Sequence, residues 1–281
     1  MKTGIVLEGG GFRGIYTAGV LDVLTENGIT FDGLIGVSAG AAHGCSFLSN
    51  QKGRSINYYT KYCNDWRFMS LRSFIKTGDI VGVQFAYHDL PEKLVPYDYE
   101  AFKQSKTEFY VTVTNVESGK AEHIKITDML KDIDYLRASA SLPYFSRIVE
   151  INGKKYLDGG CADSIPIEAF IKMGFQKNVI VLTRHEGYVK KQEHGLFAKL
   201  KYRKYPEFVK ALLGLKDRYT KTLEIIKQLE KDGSVFVIRP SEELTIGRME
   251  HDPDRVRAVY DIGFNDAKRE IERLKAWLDN K

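Results

Sequence analysis

The chain has few cysteines and no long apolar run, and both shortages narrow what it can be. Its 281 residues hold three cysteines, Cys45, Cys63 and Cys161, widely spaced, with no Cys-x-x-Cys pair and no adjacent histidine cluster. That pattern argues against a disulfide framework or a zinc site, and it predicts inert thiols in a reduced, cytoplasmic setting. Nowhere do about 18 consecutive apolar residues occur, so no spanning helix is expected and any membrane contact is peripheral. Glu8 falls where a secretion signal would need its apolar run to continue, so no signal peptide is expected. Internal repeats, low-complexity linkers and a Gly-x-x-x-x-Gly-Lys-Ser/Thr loop are also missing.

What is present suffices for a globular fold. Hydrophobic residues make up 43% and charged residues 28%, enough for a substantial core and too little bias for disorder. Residues 1–281 read as a single domain of the large α/β kind. Gly4 to Leu7 is a short apolar run that delivers the chain into Glu8-Gly9-Gly10-Gly11, which reads as a buried strand entering a glycine loop. A helix follows, with the stripe Ile15, Ala18, Val20, Leu21 and Leu24, and Asn27-Gly28 as its stop. Leu34 to Val37 repeats the strand, and Ala39 to Leu48 the helix. Two strand-loop-helix units in fifty residues predict a largely parallel sheet flanked by helices. Further strands are expected at Phe109–Val116, Lys155–Leu157, Val179–Thr183 and Val235–Arg239, and helices at Met129–Ser141 and Asp254–Leu278. Asn57 to Lys106, rich in aromatics and punctuated by Gly78, Gly82, Pro91 and Pro96, yields no assignment.

Three motifs carry chemistry. Gly36-Val37-Ser38-Ala39-Gly40 fits the Gly-x-Ser-x-Gly nucleophile elbow, with the expected strand before it and helix after it. Gly36 and Gly40 permit the sharp turn that holds the Ser38 hydroxyl clear of the sheet, at the positive end of the next helix. Gly9-Gly10-Gly11-Phe12-Arg13-Gly14 also satisfies the dinucleotide pattern Gly-x-Gly-x-x-Gly. A dinucleotide site wants an acid about 20 residues on, at the end of the second strand, whereas Asp32 precedes that strand. As an oxyanion hole the loop makes better sense, since bare backbone amides at Gly9, Gly10, Gly11 and Gly14 can converge on a developing alkoxide. Arg13 either steadies that loop, approaches a phosphate or sits on the surface. Asp158-Gly159-Gly160 follows a strand and, taken alone, is an ordinary turn signature.

A Ser-Asp-His order would place its histidine after Asp158, at His185, His194 or His251, and none of these has a persuasive setting. His43, five residues past Ser38, reads as a packed helix residue.

With these motifs in order, and with Ala138-Ser139-Ala140-Ser141-Leu142-Pro143-Tyr144-Phe145 ahead of Asp158, the chain resembles the patatin-like phospholipases over Gly4 to Pro166. The resemblance implies a three-layer, modified α/β-hydrolase-like core. It also implies a Ser38–Asp158 dyad without histidine, acting on lipid acyl esters with no essential metal or cofactor.

Charge is unevenly spread. Residues 184–231 carry 13 Lys and Arg against 6 Asp and Glu, more than the whole-chain surplus of +5. Within this basic segment, Leu196 to Tyr205 interleaves apolar residues with Lys199, Lys201, Arg203 and Lys204, as an interfacial helix on an anionic inner membrane surface would. The competing reading is a solvated helix face packed on the core. No nucleic-acid-binding module accompanies the charge, and no nucleic-acid partner is expected.

Overall fold

Apolar strands with both faces covered organise the molecule. The computed structural model describes residues 1–192 and 195–280. Strand β1, Lys2–Leu7, enters the glycine loop, and α1 follows at Ile15–Glu26. Next come β2, Gly33–Val37, then α2, Ala39–Leu48, and α3, Arg54–Tyr62. Helix α4, Leu71–Thr77, leads to a π-helical segment at Phe85–Leu94 and to α5, Tyr99–Gln104. Strands β3, Glu108–Asn115, and β4, Ala121–Ile126, precede α6, Ile133–Ser139. Then come β5, Val149–Ile151, β6, Lys154–Asp158, α7, Ile167–Lys172, and β7, Phe175–Val181. The last elements are α8, Gly195–Lys201, α9, Pro206–Leu213, α10, Leu215–Lys231, β8, Val235–Ile238, and α11, Pro253–Asp279.

The sheet runs β5-β6-β3-β2-β1-β7-β8, with β4 paired to β3 off this path. From β3 to β8 the neighbours are parallel. The sheet is thus largely parallel, as expected, and strands β4, β5 and β6 pair antiparallel at its other end. Along β1, Ile5 and Leu7 pack into one core cluster and Val6 into another on the opposite face. Leu34 and Ile35 divide the same way, as do Val179 and Ile180. Side chains alternate across a strand, so a continuous apolar run marks a strand covered on both sides, which gives three layers.

The C-terminal helix belongs to this core. Helices α1 and α11 cross so closely that a Cβ on Gly19 would lie 2.2 Å from the Tyr260 carbonyl oxygen. A Cβ on Gly263 would lie 2.1 Å from that of Tyr16, so only glycine fits at either position. Buried Asp22 of α1 accepts from Tyr260 Oη at 2.7 Å and from Gly53 N at 3.0 Å, and ties α11 and α3 to α1.

Several sequence expectations need correction. The helix expected from Met129 begins only at Ile133, because the Asp132 side chain accepts the amides of Thr127 and Asp128, and the Asp128 side chain those of Leu130 and Lys131, which holds a turn there. Strand β7 starts four residues before Val179 and ends at Val181. Helix α8 stops at Lys201, so Arg203 and Lys204 lie in the turn before α9. Pro206 accounts for this, since the residue before a proline is pushed out of helical conformation, and Tyr205 has ψ 68. The unassigned stretch from Asn57 to Lys106 is helical for much of its length, and its Tyr58, Tyr59, Phe68 and Phe85 interlock edge to face.

Candidate active site

Ser38 occupies the turn between β2 and α2 with φ 54 and ψ −123, a backbone conformation unfavourable for any side-chain-bearing residue. What holds it there is close packing. A Cβ on Gly40 would sit 2.5 Å from the Leu7 carbonyl oxygen, and one on Gly36 would sit 2.5 Å from Ala41 Cα. The Ser38 amide donates to Ser139 Oγ at 2.8 Å, and that hydroxyl donates to the Thr112 carbonyl at 2.7 Å. The Ala-Ser-Ala-Ser stretch therefore clamps the elbow to β3. Ser38 lies at the N-terminus of α2, where the helix dipole favours developing negative charge.

Asp158 ends β6, fixed through its amide to the Ser141 carbonyl at 2.9 Å. Its Oδ1 accepts from Gly160 N at 2.8 Å, in the tight turn that starts with Gly159. Burial pushes the carboxyl above the ordinary carboxylate range, opposed by hydrogen bonds from Gly160 N and the Ser38 hydroxyl and by Arg248 and Lys190. The sequence offered no reason for such tuning. It arises because the fold leaves Asp158 only 6% exposed.

The glycine loop follows β1. Gly11 takes φ +59, and the next amide, of Phe12, donates to the Arg248 carbonyl at 3.1 Å. Gly9 accepts from Thr183 Oγ1 at 2.9 Å. Gly10 precedes the short turn that leads to Gly14, which caps α1 against Ala39 of α2. Arg13 is buried, so the surface reading of it fails. Glu8, at the end of β1, accepts from Thr183 N at 2.6 Å and from Tyr219 Oη at 2.8 Å. Loops after β1, β2 and β7 thus meet at the carboxyl ends of parallel strands. There the strand order reverses about β1, which is where open α/β sheets bind ligands.

Two cavities meet at Ser38. One, of about 140 Å³, is apolar and aromatic, lined by Ala42, Tyr59, Phe68, Leu90, Leu136 and others. The second, of about 310 Å³, is lined by Glu8, Gly9 to Gly11, Asp158 and Gly160, together with Arg13, Arg184, Lys190 and Arg248. Ser38, Gly11 and Leu142 line both.

Among the described residues, no histidine lines either cavity. His43 is buried, with Nδ1 3.1 Å from Ser55 Oγ, its ring against Tyr59 and its pKa pushed down to about 3 by burial. His185 lines a separate cleft, and His251 Nδ1 meets the Cys63 carbonyl at 2.8 Å. His194 lies outside the described residues. Cys45, Cys63 and Cys161 are buried. Among the described residues no cluster of three or more His, Cys, Asp or Glu is placed to hold a metal.

Lys199, Lys201, Arg203 and Lys204 are all exposed, away from the lining of either cavity. On α8, Ala198 faces inward, while Leu196, Phe197 and Leu200 are 85%, 55% and 69% exposed. Ala198 and the following Tyr202 pack into a core cluster with Phe208 and Leu212, so the segment is anchored on the core while these three apolar side chains and its lysines face solvent. The Phe197 ring lies 4.9 Å from that of Tyr144, tilted by 38°, and Tyr144 lines the larger cavity, so α8 stands beside it. Glu8, Arg184, Lys190, Tyr219 and Arg248 escaped the sequence reading as site residues, and Ser139 entered it only as part of its Ala-Ser stretch. Of the first five, Glu8 and Arg184 carried a signal, each falling just past an apolar run that ends at this edge of the sheet.

This fold and geometry define an α/β protein with a serine elbow and a neighbouring aspartate. The sequence model of patatin-like phospholipases matches residues 5–171, more than half of the chain, and a model of a domain of unknown function, DUF6363, matches residues 205–279. The chain belongs to the patatin-like phospholipase family. It is 30% identical over 187 residues to Escherichia coli YjjU, a match covering 65% of this chain and 52% of that one. It is 27% identical over 190 residues to the lysophospholipase NTE1 of Saccharomyces cerevisiae, covering 62% of this chain and 10% of NTE1. The chain thus spans about half, or far less, of the curated relatives it matches. VipD from Legionella pneumophila superposes with TM-score 0.49 and 14% identity, over 97% of this chain and 67% of that one.

Proposed function

We propose that the chain is a serine acyl-hydrolase for lipid esters that works through a Ser38–Asp158 dyad. The observation that carries this is the placement of Ser38: strained at an elbow, lining one cavity with the buried carboxylate of Asp158, at the junction of an apolar and a polar cavity. The acyl chain enters the apolar cavity. Ser38 Oγ then attacks the ester carbonyl while its proton passes to Asp158, and the Gly10 and Gly11 amides stabilise the oxyanion. As the tetrahedral intermediate collapses, Asp158 returns the proton to the leaving alkoxide. Water, deprotonated by the same carboxylate, cleaves the acyl-enzyme and restores Ser38.

A direct aspartate base is chemically adequate because burial raises its proton affinity towards the operating pH. Ester cleavage of short chains or thioesters uses the same machinery, and the apolar cavity favours the lipid reading over these. Beside the larger cavity, α8 and the turn after it present exposed leucines with Lys199, Lys201, Arg203 and Lys204, which suits peripheral docking on an anionic, cytoplasm-facing membrane. No described helix is long and apolar enough to cross one. The whole of residues 1–281 acts as one unit in this proposal, because α11 from the second matched region packs against α1.

The test is labelling with a fluorophosphonate and assay of p-nitrophenyl and lysophospholipid esters. The probe should modify Ser38, and Ser38→Ala or Asp158→Asn should lower kcat about 10³-fold or more in folded protein. Single Gln substitutions at His43, His185, His194 and His251 should each stay within about tenfold, whereas loss of a general base costs 10²-fold or more. Labelling of another serine overturns the site, and one inactive folded histidine variant overturns the dyad.

A further inference from the structure

The larger cavity holds more positive charge than the proposed chemistry needs. Arg13, Arg184, Lys190 and Arg248 line it, against Glu8 and Asp158 alone. Both Glu8 oxygens are taken by uncharged donors, and Asp158 faces Ser38 and Gly160. Among the described residues, none of the four cations lies within salt-bridge distance of a carboxylate, although 19 other such pairs occur. Arg13 is only 8% exposed, and its Nε has no hydrogen-bond partner. Arg184 stacks at 4.0 Å on Tyr188 and Lys190 at 4.3 Å on Tyr219, with Lys190 Nζ 3.3 Å from Ser164 Oγ. These aromatic rests position the two charges without neutralising them.

Gathering like charges in a half-buried site is unfavourable, and the groups register it. Burial, then Arg184 and Arg248, push the Arg13 guanidinium down to about 10, and burial pushes Lys190 down to about 8. An anion entering the cavity would relieve both the repulsion and the unmet hydrogen-bonding capacity. The charges are graded in depth, with Arg13 buried, Arg184 and Lys190 half-buried and Arg248 exposed at the rim. Such a gradient draws an anion inward. Arg184, Lys190 and Arg248 all lie beyond residues 5–171, outside the stretch that the family model matches.

We propose that this cavity is a subsite for a phosphate-bearing leaving group, selecting phosphate monoester lysolipids over zwitterionic or neutral acyl esters. The inference rests on the hydrolase reading for which side of the ester each cavity takes. With the acyl chain in the apolar cavity, the alcohol leaves through the cationic one. Arginine pairs bind phosphate oxygens in a forked geometry that a quaternary ammonium cannot share. The cavity is at the small end for ligand sites, which suits a glycerol phosphate better than a bulky headgroup.

The experiment compares kcat/KM for acylglycerol 3-phosphate, acylglycerophosphocholine, monoacylglycerol and acyl-coenzyme A of one chain length. Wild type should favour the phosphate monoester over the neutral ester by tenfold or more. Arg184→Gln with Arg248→Gln should lower that ratio at least tenfold, Arg184→Lys should restore part of it, and rising salt should erode it. Faster turnover of acyl-coenzyme A, with the same arginine dependence, keeps the anionic subsite and assigns its phosphate to a thioester carrier. Indifference of wild type to headgroup charge, or equal losses on all substrates, overturns the proposal. Calorimetry of glycerol 3-phosphate with Ser38→Ala separates this from the hydrolase reading. Binding that is lost in the arginine variants supports the subsite even where no ester is cleaved, and no binding overturns it.

Discussion

The two walls around Ser38 are built differently. One comes from β1, β2 and β6 and is fixed by backbone: Ser38 clamped through Ser139 to β3, Asp158 through Ser141, and the elbow pressed onto the end of β1. The other comes from Arg13 and from loops and helices after Thr183, and two of its charges, Arg184 and Lys190, are the ends of long side chains resting on rings. Reaction geometry demands the first kind of wall, because small misplacements of a nucleophile are costly. Substrate choice tolerates the second, since a charge acts over several ångströms. The difference predicts that changes in the first wall abolish turnover and changes in the second redirect it.

The largest effect after removal of Ser38 itself is expected at the elbow. Gly40→Ala would place a methyl group 2.5 Å from the Leu7 carbonyl oxygen and 2.8 Å from that of Glu8, forcing β1 and α2 apart. Overpacking of this kind costs about 1–3 kcal/mol, and the resulting shift should lower kcat by roughly 10²-fold. Thermal melts with kinetics on the folded fraction check it, and a Gly40→Ala enzyme of normal rate would break the comparison.

Filling the apolar cavity should redirect substrate choice and leave the chemistry intact. Ala42 lies one helical turn beyond Ser38 and lines this cavity of about 140 Å³. Ala42→Phe takes up much of that space. Excluding two methylenes forfeits about 1.6 kcal/mol, so preference should swing more than tenfold towards short p-nitrophenyl esters. Equal losses for butyrate and palmitate would mean that the chain lies elsewhere.

A smaller effect separates the two contributions of α8. Leu196→Ser with Leu200→Ser removes apolar contact of roughly 1.5–3 kcal/mol per residue, whereas Lys199→Gln with Lys201→Gln removes about 1 kcal/mol per charge. In vesicle sedimentation the leucine pair should weaken binding to neutral and anionic vesicles alike. The lysine pair should weaken only the anionic, low-salt case. Unchanged binding in both pairs would remove the membrane from the proposal.

The legibility of the molecule divides along the same line. Ser38, Gly36, Gly40 and Asp158 were readable because each sits at the end of an apolar run, where local pattern and local geometry coincide. Strands β4 and β5 were not, since β4 is only partly buried and β5 has three residues. The aromatic helices before β3 resisted because their order comes from rings packed across segments, with no periodicity along one. Arg184, Lys190 and Arg248 are 64 residues apart at the extremes, and only the fold brings them to one cavity. The basic segment drew attention to total charge, while the informative property was which cations lacked partners.

The smallest expected effect tests whether the rigid wall carries a stability cost for its chemistry. Asp158 has its folded-state pKa raised, chiefly by burial. Between the ordinary carboxylate range and that raised value, the folded chain keeps a proton that the unfolded chain has lost. Stability from this group is therefore full at pH below the unfolded pKa and is lost as pH rises through the folded one. The amide introduced by Asp158→Asn stays neutral throughout, and its oxygen can still accept from Gly160 N. This variant should thus be inactive at pH 7 yet melt a few degrees above wild type, with the gap closing as pH falls below about 4. Paired calorimetry of the two proteins from pH 3 to 8 cancels all other titrating groups. A lower melting temperature for Asp158→Asn at pH 7, or a gap independent of pH, would show that the ionised carboxylate is stabilised by its partners and that β6 holds it without strain.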